Sequence, residues 1–132
     1  MITYTFRLKP GLDLLDEIEQ FVAEKKIEAG CVLCSVGSLT HATIRLANLD
    51  FHSEYENYFE IVSLTGTVST YGSHLHISIS ASDGNTIGGH LVSGCKIYTT
   101  AEIVLAAFPD VIYKRGLLTN DSGYEELVVY DR

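Results

Sequence analysis

The stretch Gly72-Ser73-His74-Leu75-His76-Ile77-Ser78-Ile79-Ser80-Ala81-Ser82-Asp83-Gly84-Asn85-Thr86-Ile87-Gly88-Gly89-His90 decides how this chain folds. From His74 to Ala81 polar and apolar residues alternate without a break, the period of a strand with one buried face. Leu75, Ile77, Ile79 and Ala81 point one way, and His74, His76, Ser78 and Ser80 the other. Ser82-Asp83-Gly84-Asn85 is a hairpin signal that returns the chain beside this strand. Parity then decides where His90 points. A strict two-residue turn at Asp83-Gly84 sets His90 opposite Ile77, on the apolar face, whereas an odd loop or one bulge restores it to the imidazole face. Gly88-Gly89, which tolerates a disrupted ladder, is the expected place for that irregularity.

Upstream, Ile2, Tyr4, Phe6 and Leu8 alternate with Thr3, Thr5 and Arg7, and Pro10-Gly11 closes this first strand. Leu12, Leu15, Ile18, Val22 and Ile27 form a helical stripe. Asp13, Asp16 and Glu17 lie near its start, Lys25 and Lys26 near its end, and Gly30 just past it. The remaining β-branched and aromatic runs read as strands at Val32–Val36, His41–Leu49, Tyr58–Val68, His90–Tyr98, Ala101–Phe108, Val111–Leu118 and Glu125–Tyr130, with Asp50–Asn57 as a surface loop. The expected fold is α+β: a largely antiparallel β-sheet with flanking helices, one domain over residues 1–132.

The chain's 132 residues are 46% hydrophobic, enough for a proper core. No run approaches the roughly 18 apolar residues of a membrane span, and the first residues alternate instead of forming a signal-peptide core, so a cytoplasmic protein with no membrane role is expected. Seventeen acidic against nine basic side chains give a formal charge of −8, which repels duplex DNA on average. Lys25-Lys26 and Lys114-Arg115 are the only basic pairs. Direct nucleic-acid binding is therefore disfavoured. Cys31, Cys34 and Cys95 read as reduced, buried thiols. Cys31-Val32-Leu33-Cys34 has redox spacing but lies in a strand-like run, whereas a redox motif opens a helix.

Two histidines at i and i+2 on one strand face have Cα atoms about 6.5–7 Å apart, near enough for both rings to reach one metal ion. With His90 the set becomes three neutral imidazoles with an open fourth position, the donor set of a catalytic zinc or other divalent metal site. Glu102 and Glu60 are acids within apolar strand patterns, and Glu102 is the candidate acid/base or supporting carboxylate. His41 and His52 have no partner at ligand spacing. No Gly-x-Ser-x-Gly, Gly-x-Gly-x-x-Gly or Walker string occurs.

The string from Gly72 to Leu105 resembles the PPC domain, the "plants and prokaryotes conserved" domain. So do Phe59-Glu60-Ile61-Val62-Ser63-Leu64-Thr65-Gly66 and Ser122-Gly123-Tyr124-Glu125-Glu126-Leu127. The resemblance implies a mixed, largely antiparallel sheet assembled as a homotrimer. In land plants such a domain follows an AT-hook, an Arg-Gly-Arg-Pro element for the DNA minor groove, and no such string occurs in these 132 residues. The fold is also similar to that of acetolactate decarboxylase, a zinc enzyme with a His-x-His strand and a later histidine. Two functions follow as expectations. One is a trimeric metal-binding domain with His74, His76 and His90 as ligands, acting on a small molecule as a lyase or hydrolase. The other is a non-catalytic regulatory module associated with DNA through partners.

Overall fold

The computed structural model describes residues 1–116 and 121–132. The chain runs β1 (Ile2–Leu8), α1 (Leu14–Glu24), β2 (Gly30–Arg45), β3 (Ser53–Val68), β4 (His74–Ala81), β5 (Thr86–Leu91), β6 (Lys96–Ala107), β7 (Val111–Gly116) and β8 (Glu126–Asp131). Six strands form one sheet in the order β1-β6-β2-β3-β4-β5, and β7 and β8 form a second. Every pairing among the described residues is antiparallel. The expected α+β class holds, with one helix among the described residues where several were expected. Leu117 and Leu118, the end of one expected strand, lie outside the described residues.

The long strand β2 organises the sheet. It pairs with β3 and β6 along its length, and its end reaches β5 through Ile44 opposite Leu91 and Arg45 opposite His90, so the sheet closes on itself at that end. The expected strands Val32–Val36 and His41–Leu49 are two parts of this element. Register shifts between Val32 and Cys34, Gly37 and Leu39, and Leu39 and His41 break its alternation without breaking the strand. Bulges bend a long strand, which is what lets one element serve three neighbours. The acidic stretch Asp50–Asn57 is likewise mostly not a loop, because Ser53–Asn57 open β3.

Helix α1 covers the sheet with buried Leu14, Ile18 and Val22, and Phe21 stacks on Phe6 at 4.0 Å between ring centroids. Asp13 caps its start by accepting from Asp16 N, while its other oxygen accepts from Gly94 N and Cys95 N and ties the helix to the β5–β6 connection. At the other end Lys26, not Gly30, takes the left-handed conformation (φ 54°). Lys26 N donates to Ala23 O and Ile27 N to Val22 O, a Schellman closure sealed by the buried pair Ile27 and Val22. Gly30 already belongs to β2, where a Cβ would meet Ala106 O at 2.4 Å.

The core holds Leu75, Ile77 and Ile79 at 2%, 3% and 0% exposure, so the apolar face of β4 is the buried one. The expectation of three buried thiols is corrected. Cys95 is buried, bonded to Thr43, and its thiol is pushed up to about 11 by burial, but Cys34 is exposed and Cys31 half-buried. All three are free. No helix among the described residues is long and apolar enough to cross a membrane.

Candidate metal centre

The β4–β5 hairpin puts three imidazoles on one face. Gly84 N donates to Ala81 O at 2.9 Å, Ala81 N donates to Asn85 O at 2.9 Å, and Gly84 takes φ 84°. This is a three-residue loop, Ser82-Asp83-Gly84, in which a tight turn is followed by a left-handed glycine. Asp83 braces it by accepting from Asn85 N. The odd loop makes His76 the direct partner of His90, with Ile77 opposite Gly89 and Ser78 opposite Gly88. The parity change therefore occurs at Gly84, and the bulge expected at Gly88-Gly89 is absent. Those glycines serve close approach instead: a Cβ at Gly88 would meet Ile77 O at 2.7 Å, and one at Gly89 would meet Arg45 O at 2.6 Å, where β2 closes on β5.

His74, His76 and His90 each offer a ring nitrogen, and these nitrogens all lie within 4.8 Å of one another. His74 Nε2 and His76 Nε2 are 3.2 Å apart, close to the separation of about 3.3 Å that a tetrahedral ion imposes on two nitrogens at roughly 2.0–2.1 Å. His90 Nδ1 is buried with no hydrogen-bond partner among the described residues, an arrangement that costs free energy unless something else binds there. Burial, then His74, Arg45, His76 and His52, hold the His90 imidazole at about 4. Burial, then His76 and Arg115, lower His74 against the pull of Glu126. Both rings are thus kept neutral at pH 7, the form in which imidazole ligates. The set fits a divalent metal.

A pH dependence follows. The unfolded chain takes up a proton on His90 near 6.5 and the folded chain only near 4, so the folded state is favoured above 6.5 and loses that advantage as pH falls through this window. The melting temperature of metal-free protein is expected to drop more steeply between about pH 7 and 4.5 in wild type than in His90→Asn. Parallel pH profiles for the two proteins in scanning calorimetry would refute this.

Beside His74 and His90 lies a cleft of about 960 Å³ lined also by Arg45, Arg115, Asp50, Glu125 and Glu126. Further hollows reach His76 beside Thr65 and Ser78, and both His74 and His76 beside Thr67. Thr65 and Thr67 of β3 are the cross-strand partners of His76 and His74. Arg115 reaches this corner from β7 and donates to Thr67 Oγ1 at 2.9 Å.

Glu102 is not brought to the cluster within one chain. It sits on β6, opposite Val36 of β2 and Arg7 of β1, accepts from Thr100 Oγ1 at 3.1 Å, and is exposed. Strands β2 and β3 separate it from the histidines of β4. An acid in an apolar pattern here marks the open face of β6. Glu60 is exposed on β3 between Ser38 and Ser80. His41 contacts Glu56 and Thr40, while His52 is near enough to weigh on His90. The residues missed in the sequence are Arg45 and Arg115. Their only traces there are a basic residue inside the apolar run Ile44-Arg45-Leu46 and the basic pair Lys114-Arg115.

Fold and site together define a small closed-sheet α+β protein with a three-histidine cluster at the wall of an open cleft. The model of the Plants and Prokaryotes Conserved (PCC) domain matches residues 1–109, and the chain belongs to this family, also abbreviated PPC. It is 45% identical over 112 residues to the bifunctional protein GlmU of a Synechococcus strain, covering 85% of this chain and 18% of that protein. It is 32% identical to AT-hook motif nuclear-localized protein 14 of Arabidopsis thaliana, over 76% of this chain and 26% of the other. The chain thus spans under a third of either relative. Among solved structures, a Salmonella cholerae-suis protein superposes with a TM-score of 0.94 at 32% identity, covering 99% of this chain and 94% of that one. A metal-containing protein from Archaeoglobus fulgidus superposes with 0.81 at 26% identity, covering 97% and 94%. A Staphylococcus aureus protein similar to α-acetolactate decarboxylase shares the fold at 0.52 and 15% identity, over 80% of this chain and 52% of the other.

Proposed function

We propose that this chain is a divalent-metal-binding domain whose ligands are His74, His76 and His90, with a small molecule as its substrate in a lyase or hydrolase reaction. The observation that carries the reading is the convergence of three imidazoles, one with an orphaned buried nitrogen, two of which line a cleft large enough for a metabolite. An all-imidazole set favours zinc or a neighbouring transition metal over magnesium or calcium. A bound ion with three protein ligands would supply Lewis acidity at its open position. The chain's own part is to keep His74 and His90 unprotonated and to hold all three rings on one face of the β4–β5 hairpin. Within one chain, proton transfer falls to Glu126, which lines the cleft beside His74, and not to Glu102. The metal-containing relative from Archaeoglobus fulgidus supports the same reading.

The test is metal analysis of protein purified without an affinity tag. Wild type is expected to retain close to one equivalent of metal per chain and His76→Ala to lose it. Metal-free wild type that takes up no zinc on dialysis would sink the reading. We also propose a homotrimer, because Val36, Tyr58, Val62 and Tyr98 leave large apolar side chains exposed on the neighbouring strands β3, β2 and β6. Sedimentation equilibrium of the same sample, giving the mass of three chains, checks it.

The Arabidopsis relative favours a second reading, a non-catalytic module that associates with DNA through partners. The charge of −8 opposes direct binding. Tight binding of duplex DNA by the isolated chain at low salt, with no metal retained, would put this reading first.

A further inference from the structure

The histidine cluster is flanked by two guanidinium groups that the metal reading does not use. Arg45 extends from the end of β2, directly opposite His90. Arg115 comes from β7 and is held against Thr67, the cross-strand partner of His74. Both line the large cleft together with His74 and His90, so the two cations share its wall with two of the imidazoles. Each is half-buried, and among the described residues neither has a carboxylate within 4.0 Å. Among the described residues Arg45 donates only to Leu49 O at 3.4 Å, and Arg115 only to Thr67 Oγ1. A guanidinium carries five donors, and those that no described protein group answers are not buried but open onto the cleft, where a ligand can meet them. Neither cation has a described acidic partner although acids outnumber bases nearly two to one in a chain whose charge is −8.

The carboxylates of the same cleft, Asp50, Glu125 and Glu126, are all exposed. Water and salt screen them more than they screen the half-buried arginines. The inner wall is therefore positive and the rim negative. That order admits one compact anionic group and repels a continuous polyanion such as nucleic acid.

We propose that Arg45 and Arg115 form an anion subsite, and that the cleft's ligand is a small molecule bearing one oxyanion group, a carboxylate or a phosphate. The inference rests on the metal reading in one respect: the anion is gripped beside the three imidazoles, so that another oxygen of the same molecule faces them. Guanidinium is suited to this task because its planar fork bonds two oxygens of one group at once. The cleft of about 960 Å³ accommodates a metabolite-sized molecule.

The experiment is isothermal titration of the full chain with malonate and, separately, with inorganic phosphate, in zinc-loaded and chelator-stripped protein. One of the two probes is expected to bind saturably, and the preferred one identifies the oxyanion. Arg45→Gln and Arg115→Gln are each expected to weaken it by about tenfold or more, the loss of a charge-assisted hydrogen bond, with zinc content unchanged. Lys9→Gln, a charge removed from an exposed residue outside the cleft lining, should bind like wild type. Arg45→Lys and Arg115→Lys, which keep the charge and lose the fork, should fall between; circular dichroism confirms that every variant is folded. Wild type that holds zinc but binds neither probe overturns the inference and leaves the metal reading standing, as does undiminished binding by both glutamine variants. Saturable, arginine-dependent binding by protein that takes up no zinc upholds the subsite and overturns the metal reading.

Discussion

Gly66→Ala is expected to destabilise the fold by about 3 kcal/mol or more and, in the molecules that still fold, to weaken metal binding. Gly66 lies in β3 opposite Leu75, between Thr65 and Thr67, which face His76 and His74. Its φ is 140°, a conformation that residues with a Cβ rarely adopt, and a Cβ there would lie 2.0 Å from His74 O and 3.0 Å from Leu75 Cα. Those atoms are backbone, so no side-chain rotation relieves the clash, and β4 must move at the residue that carries the first imidazole. A domain of this kind has roughly 5–15 kcal/mol in all, so the substitution removes a large fraction and should lower the melting temperature by on the order of 10 °C. Gly84→Ala is the informative comparison: its φ is 84°, but a Cβ there meets nothing within 4 Å. It pays only the conformational term and should cost about 1 kcal/mol. Equal melting temperatures for the two variants would show that the close approach of β3 to β4 is not what Gly66 serves.

The comparison of Gly66 with Gly84 also shows why part of this site was legible in the sequence and part was not. Strand β4 was readable to the residue, because eight positions from His74 to Ala81 alternate and the buried face is the apolar one. The likeness of His74 and His76 in facing follows from that alternation alone. His90 depends on a count of loop residues. A two-residue and a three-residue turn can be drawn from the same Ser82-Asp83-Gly84-Asn85, and the choice between them is made by Gly84 entering the left-handed region and donating to Ala81. Gly88-Gly89 drew attention to the wrong place, since glycine marks close backbone approach as often as it marks a bulge. Long-range pairing was the least visible. Nothing local tells that the pairing of β2 with β6 shifts register three times while β2 continues from Gly30 to Arg45, or that its last residue meets His90. For the same reason Glu102 looked attractive and Arg45 did not. An acid in a strand pattern stands out by composition, whereas its distance from the histidines is set by strand order, and β6 and β4 are not neighbours.

His90→Ala is expected to have opposite consequences for metal and for the metal-free fold. Losing an outer-shell partner alone typically costs 10–100-fold in metal affinity, so deleting one of three ligands should cost more than about a hundredfold, read by competition with a chromophoric chelator. The metal-free protein, by contrast, should change by less than about 1 kcal/mol at pH 7. The imidazole is half-buried, its Nδ1 makes no hydrogen bond, and its surroundings oppose its charging, so its removal breaks no bond that holds the fold. A histidine kept for structure would behave the other way, since truncating it would strand a partner and lower stability with or without metal. His41 serves as the control for that case, because its Nδ1 meets Thr40 Oγ1 at 2.9 Å and its Nε2 faces Glu56; His41→Ala should leave metal affinity unchanged. The ratio of metal-loaded to metal-free stability in each variant separates the two roles. A ligand moves only the loaded form, because an ion that binds the native state alone stabilises it by mass action and the variant forfeits that increment. A His90→Ala protein that unfolds several degrees early without metal, yet still titrates zinc like wild type, would place His90 among the structural residues and leave the open cleft to be explained by its arginines.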